Sequence, residues 1–122
     1  MPERNEDAAE LVVETNKLPN FVVITPRGCL TYTNSLRLAR VLETESAGPR
    51  PGVIIDCQGL ELMDSAALEL LLKTHTDITS RGGTLRLTAL NRVCSDIMTA
   101  TRLLNLLHIT ENLDQAISGT TT

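Results

Sequence analysis

Two kinds of apolar spacing alternate along the 122-residue chain and predict an alternation of strands and helices. Two β-branched runs, at 10–15 and 21–28, flank the turn-forming segment NKLPN and predict a pair of strands. The near-continuous apolar run VIID at 53–56 is typical of a strand that is covered on both faces. TLRLTAL at 84–90 alternates apolar and polar positions, which indicates a strand with one buried face, and LLHI at 106–109 is a candidate for a short last strand.

The segments between these runs have apolar residues at helical spacing. Four segments show it: 31–44, 65–80, 91–105 and 110–118. In the first, the spacing predicts that Tyr32, Leu36 and Ala39 face the core, with Leu42 as a further candidate. Either Asp64 or Ser65 can cap the second helix, and the glycines of RGG end it.

The predicted order of elements is β-β-α-β-α-β-α-β-α, which implies an α/β domain with a mixed sheet and crossover connections. Its core must be aliphatic, because the chain has one Phe, one Tyr and no Trp. We expect residues 1–9 to form a flexible leader, 10–118 the domain and 119–122 a frayed tail. The charged first ten residues lack the apolar stretch of a signal peptide, and no apolar run is long enough to span a membrane, so we expect a cytoplasmic location.

Composition gives no indication of a nucleic-acid or membrane surface, because the net charge is -4 and the basic residues are scattered. The three cysteines, Cys29, Cys57 and Cys94, are far apart in the sequence and form no C-x-x-C. Together with His75 and His108 they show no metal-ligand spacing, so we expect free thiols, buried or half-buried, and no metal. No G-x-G-x-x-G or P-loop is present, so we expect no nucleotide or other cofactor.

Two catalytic interpretations are weak. Ser65 with His75 or His108 and an aspartate would form a hydrolase triad, but the G-x-S-x-G elbow is missing. Asp56 ends a predicted strand, as the phosphoacceptor of a receiver domain does, but the acidic pair that would bind the cation is missing. We therefore interpret Asp56 as a strand-end hydrogen-bond acceptor and expect the chain not to be an enzyme.

The segment LMDSAALELLLK at 62–73 places a hydroxyl where a helix begins. If Asp64 is the cap, Ser65 lies in the first turn, where free N–H groups and the helix dipole favour an anion by about 0.3–1 kcal/mol. A phosphate there would leave the fold intact and would change what binds the surface, and the short side chains of Ala66 and Ala67 would let another protein approach. A plain capping role for Asp-Ser explains the same spacing.

The segment from VIIDCQGLELMDSAALELLLK to RGGTLRLTAL, residues 53–90, resembles the central part of a STAS domain, the fold of anti-sigma factor antagonists. In that family a strand ending in Asp leads to an Asp-Ser-Ser-Gly-Leu turn, a helix, a Gly-Gly break and the next strand. GCLTYTNSLRL lies where the family has Gly-x-Leu-Asp before its first helix. The resemblance covers residues 10–118 and implies a STAS-like α/β fold, with a mixed sheet of four to five strands and helices packed mainly on one face.

The resemblance also implies a function. Asp64 and Ser65 match the start of the family turn, Leu68 matches its leucine, and the family's regulatory phosphoserine corresponds to Ser65. It implies an antagonist that binds a serine-kinase anti-sigma factor and is switched off by phosphorylation, in bacterial transcription regulation. A serine phosphatase and a second copy of the chain are further partners that it allows. The alternative is a STAS scaffold module of a larger signalling assembly, in which Ser65 is only a helix cap.

The chain departs from the family motif at three positions. Ala66 replaces the second serine, Ala67 replaces the glycine, and Thr31 stands where the family usually has an aspartate near the partner kinase. These departures bear on phosphorylation more than on the fold. The predicted partner-binding surface consists of Thr31, Asp64, Ser65, Ala66, Ala67 and Leu68.

Overall fold

The computed structural model describes residues 11–118, apart from the side chain of Leu104; the expected leader at 1–9 and tail at 119–122 lie outside this range. The described strands are β1 (Leu11–Lys17), β2 (Val22–Leu30), β3 (Gly52–Asp56), β4 (Leu60–Met63), β5 (Thr84–Thr88) and β6 (His108–Thr110). The described helices are α1 (Ser35–Glu45), α2 (Ser65–Ser80), α3 (Arg92–Ala100) and α4 (Leu113–Ser118), with a short 3-10 turn at Leu103–Asn105.

The strands form one mixed sheet. β1 pairs antiparallel with β2, and the order β1-β2-β3-β5-β6 continues with parallel pairs, as the predicted crossovers require. The α/β class of the prediction is confirmed, but the strand count is six rather than four to five. The additional strand is β4, which pairs parallel with the end of β2. Its four residues, LELM, are buried only at the two ends, so they lack the alternation that marks a strand in a sequence.

Most helices lie on one face of the sheet, as expected. α1, α2 and α3 share one aliphatic core with the alternating sheet residues that point to them; its members include Ile24, Leu38, Leu42, Val53, Ile55, Ala67, Leu71, Ile78, Leu85, Leu87, Cys94 and Met98. α4 covers the opposite face, where Leu113 and Ala116 pack with Phe21, Val23 and Ile54. Because helices cover both faces of the sheet, β3 is buried on both sides, in agreement with the apolar run VIID.

The predicted inward face of α1 is wrong at its first two positions, Tyr32 and Leu36. The helix begins three residues after Tyr32, which belongs to a preceding turn, so helical spacing counted from Tyr32 does not describe the helix. The prediction is confirmed for Leu42, which is buried, and Ala39 is half-buried; Leu38, which was not predicted, is buried as well. The side chains of Tyr32 and Leu36 are 78% and 60% exposed.

The end of α2 confirms the predicted glycine stop. The N–H of Gly83 donates to the carbonyl of Ile78 (2.9 Å), and Gly82 has a φ of 79°, a left-handed conformation that favours glycine. A Cβ at Gly83 would overlap the carbonyl oxygen of Pro51, so the chain can only pass there without a side chain. The guanidinium of Arg81, the residue that follows α2, donates hydrogen bonds to backbone carbonyls of the loop after α1.

Candidate functional site

The chain between β2 and α1 forms a tight turn at residues 31–34. The N–H of Thr31 donates to Oδ1 of Asn34 (2.9 Å), and the Asn34 amide donates to the carbonyl of Cys29 (2.8 Å). The N–H of Ser35 donates to the carbonyl of Thr31 (2.8 Å), and the hydroxyls of Thr31 and Thr33 are hydrogen-bonded to each other. Asn34 is buried, so its side chain is the internal support of the turn.

The start of α2 distinguishes the two candidate caps. Asp64 has extended backbone angles, and its Oδ1 accepts the N–H of Ala67 at 3.1 Å. That is the geometry of an N-cap. Ser65 is therefore the first residue of the helix, and its side chain is exposed. Among the residues that the structure describes, no group is hydrogen-bonded to its hydroxyl.

The two turns are joined by a single carboxylate. The second oxygen of Asp64, Oδ2, accepts the backbone N–H of Tyr32 at 2.9 Å, although the two residues are 32 positions apart. The N–H of Asp64 donates to the carbonyl of Leu30 at 3.2 Å, and Leu30 pairs with Met63 in the register of β2 and β4. Neither β4 nor this bond can be predicted from the sequence pattern. The expectation that Thr31 and Ser65 share one surface therefore came from the family resemblance alone.

The six predicted surface residues are not equally accessible. Ser65 is exposed, and Thr31, Asp64, Ala66 and Leu68 are half-buried. The prediction that Ala67 belongs to the partner-binding surface is wrong. Ala67 is 0% exposed and its methyl group packs in the aliphatic core, so it offers no contact area to a partner. Its small size instead lets α2 lie close to the sheet.

Sequence reasoning missed two residues of this surface, Tyr32 and Leu36. Tyr32 is in the same turn as Thr31, its backbone N–H is bonded to Asp64 at the start of α2, and its side chain is exposed. Leu36 follows in the first turn of α1. Both were assigned to the core on spacing, and only the position of the helix start could have corrected the assignment.

The hydrolase interpretation is contradicted by the geometry. Ser65 and His75 are ten residues apart on the same helix, which separates them by about 15 Å along its axis. His108 is paired in register with Arg86 on the face of the sheet opposite α2. The buried Asp56 accepts both the backbone N–H (3.2 Å) and the side-chain amide (3.3 Å) of Gln58, which confirms it as a strand-end acceptor.

The three cysteines are free thiols, as expected. Cys29 is half-buried and Cys57 and Cys94 are buried. Burial, followed by the neighbouring Cys94 and Asp56, raises the pKa of the Cys57 thiol. Within residues 11–118, no group of three or more His, Cys, Asp or Glu side chains is placed to hold a metal ion. None of the helices in this range is long and apolar enough to cross a membrane.

Fold and site together define a small α/β module whose candidate site is a surface turn at the beginning of a helix. Residues 12–116 match the family model of the STAS domain, and the chain belongs to the STAS family. No match was found among curated proteins.

Solved structures of anti-sigma factor antagonists share this fold. One from Mycobacterium paratuberculosis has a TM-score of 0.82 at 17% identity, over 93% of this chain and 96% of its own. An anti-sigma-factor antagonist (STAS) domain protein from Planctomyces limnophilus has a TM-score of 0.79 at 19% identity, over 90% and 98%. The anti-sigma factor antagonist SpoIIAA in its unphosphorylated form has a TM-score of 0.65 at 14% identity, over 88% and 96%. At these identities the likeness shows the fold.

Proposed function

We propose that this chain is an anti-sigma factor antagonist, which binds a serine-kinase anti-sigma factor through the surface around Ser65 and is released when Ser65 is phosphorylated. The observation that carries the proposal is the exposed Ser65 hydroxyl in the first turn of a 16-residue helix that another residue, Asp64, caps. A hydroxyl with no structural task is free to be modified. The likeness to SpoIIAA, solved in an unphosphorylated form, supports the same interpretation.

The chemistry is a phosphoryl transfer supplied by the partner. The γ-phosphoryl group of ATP bound to the kinase is transferred to Oγ of Ser65, the hydroxyl proton is lost, and ADP remains on the kinase. The free N–H groups of the first turn and the helix dipole favour the new anion by about 0.3–1 kcal/mol. The domain therefore stays folded, while an added charge of about -1.5 to -2 opposes renewed binding.

Two exposed apolar side chains provide contact area for the partner. Tyr32 and Leu36 are 78% and 60% exposed; the backbone of Tyr32 is bonded to Asp64 at the start of α2, and Leu36 lies in the first turn of α1. Aromatic side chains dominate the energetics of many interfaces, and a backbone that is already fixed lowers the cost of ordering them. Tyr32→Ala should lower partner affinity more than tenfold, about 1.4 kcal/mol or more. Leu106→Ala, which truncates a similarly exposed side chain at 57% on another part of the fold, is the matched control.

The experiment is a labelling reaction with a purified serine-kinase anti-sigma factor from the source cell, followed by mass spectrometry of the phosphorylated peptide. We expect the phosphate on Ser65 and no incorporation into Ser65→Ala. Ser65→Asp should keep the circular dichroism spectrum of the wild type and lose partner affinity. Phosphate on another residue, with Ser65 unmodified, would show that the switch is assigned to the wrong position.

The departures from the family motif at positions 66 and 67 leave the Ser65 hydroxyl in place. Ala66 is half-buried and Ala67 is buried in the core, so neither side chain covers that hydroxyl. The proposed setting is the bacterial cytoplasm, where sigma factors act, with a serine phosphatase to restore the active form. The alternative of a scaffold in which Ser65 is the cap has less support, because Asp64 accepts the capping bond. Size-exclusion chromatography distinguishes a monomer, a homodimer and a large assembly.

A further inference from the structure

Asp64 uses its two carboxylate oxygens on two different elements. Oδ1 accepts the N–H of Ala67 at 3.1 Å and caps α2, whereas Oδ2 accepts the N–H of Tyr32 at 2.9 Å and holds the turn at 31–34. The rest of that turn is held from within, by the Asn34 side chain. Tyr32 differs, since its side chain is largely exposed and its backbone N–H is bonded across to α2.

We propose that Asp64 is a positioning residue that couples Ser65 to the turn at 31–34, so that a charge placed on Ser65 is transmitted to Tyr32. The inference rests on the proposed phosphorylation of Ser65 for its biological role. The physical reason is the position of the two groups. A phosphate on Ser65 would be one residue away from the Asp64 carboxylate and would repel it, and its oxygens would compete for the same free N–H groups of the first turn. When Asp64 turns away, Tyr32 loses its acceptor.

The N-cap residue of α3 also bonds to two elements with one side chain, but its second bond is donated rather than accepted. Oδ1 of Asn91 accepts the N–H of Cys94 at 2.7 Å, and its amide nitrogen donates to the carbonyls of Leu60 (3.1 Å) and Glu61 (3.3 Å) on β4. An amide suits that site because its second partners are acceptors. At position 64 the second partner is an N–H donor, so two acceptor oxygens are needed and only a carboxylate supplies them.

This difference gives a variant that separates the two tasks. Asp64→Asn keeps one oxygen for Ala67, and asparagine caps helices as well as aspartate does. Its amide nitrogen cannot accept the N–H of Tyr32. Hydrogen exchange of backbone amides by NMR reads both bonds in one sample. We expect exchange at Tyr32 to become about tenfold faster and exchange at Ala67 to be unchanged, because a bond to a charged acceptor is lost at one site only. Equal acceleration at Tyr32 and Ala67, or no change at Tyr32, overturns the assignment.

The transmitted charge is tested with Ser65→Glu and with phosphorylated protein, compared with Thr76→Glu, which adds the same charge at an exposed position farther along α2. Only the charge at position 65 should speed exchange at Tyr32. An unchanged Tyr32 amide in Ser65→Glu and in the phosphorylated protein overturns the coupling. The measurements on Asp64→Asn and Ser65→Glu need no partner. If the kinase does not label Ser65, the proposed function fails, whereas the coupling is decided by Asp64→Asn and Ser65→Glu alone.

Partner binding adds a readout that a merely structural role would not change. Asp64→Asn should weaken binding to the purified anti-sigma factor about tenfold although the cap of α2 is kept, because the Tyr32 turn is no longer pre-ordered. Asn91→Asp is the matched control: it keeps the cap of α3, loses the donors to β4, and should leave partner affinity unchanged. Full affinity of Asp64→Asn would refute the role of the coupling in binding.

Discussion

Removing the two polar side chains at the start of α2 should have opposite effects on stability. Asp64→Ala deletes the acceptor of the Ala67 N–H, and the loss of an N-cap costs about 0.5–2 kcal/mol. It also deletes the acceptor of the Tyr32 N–H, where water can substitute only in part, at about 0.5–1.5 kcal/mol. The free energy of unfolding should therefore fall by about 1–3 kcal/mol.

Ser65→Ala should be neutral or slightly stabilising. Its hydroxyl is exposed and has no partner in the described part of the chain, and alanine has the higher helix propensity, by about 0.5 kcal/mol. The free energy of unfolding should rise by at most that amount.

The assay is urea unfolding followed by circular dichroism, with wild type, Asp64→Ala and Ser65→Ala measured side by side at constant pH and salt. The loss in Asp64→Ala corresponds to a melting-temperature decrease of about 4–12 °C for a domain of this size. A loss of about 1 kcal/mol or more in Ser65→Ala, which is typical of a lost N-cap, would mean that Ser65 and not Asp64 caps the helix. The proposal of a free, modifiable hydroxyl would then lose its basis.

Two further predictions concern other parts of the fold. Gly83→Ala should lower the free energy of unfolding by about 1–3 kcal/mol or more, because the new Cβ would overlap backbone atoms of Pro51, and thermal unfolding measures it. A Gly83→Ala protein of wild-type stability would contradict the close approach. Burial, and then Arg86, lower the pKa of His108 from its ordinary 6.5, so the folded state favours the neutral ring. The contribution of neutral His108 to the free energy of unfolding should be fully present above pH 6.5 and should be lost as the pH falls below it. His108→Gln should flatten this pH dependence in urea titrations. An unchanged profile in His108→Gln would refute the assignment.

Features that depend on neighbouring residues were the predictable ones. The apolar runs predicted five of the six described strands, and the limits of α2 followed from Asp-Ser at one end and Gly-Gly at the other. β4 was missed because four residues with only their ends buried carry no periodic signal. The inward face of α1 was wrong at Tyr32 and Leu36 because a turn, rather than a helix, contains Tyr32, and the sequence spacing is compatible with either.

The sequence by itself determined the order of strands and helices, the aliphatic core, and a hydroxyl at the beginning of a helix. Periodicity, capping and glycine breaks depend on residues within about four positions of one another, so they can be predicted from the sequence alone. Only the tertiary structure decided that Ala67 is covered and that Tyr32 and Leu36 are exposed. It also placed the turn that contains Thr31 next to Asp64. The pairing of β2 with β4 brings together two parts of the chain that are more than 30 residues apart, and the Asp64 carboxylate then bonds to that turn.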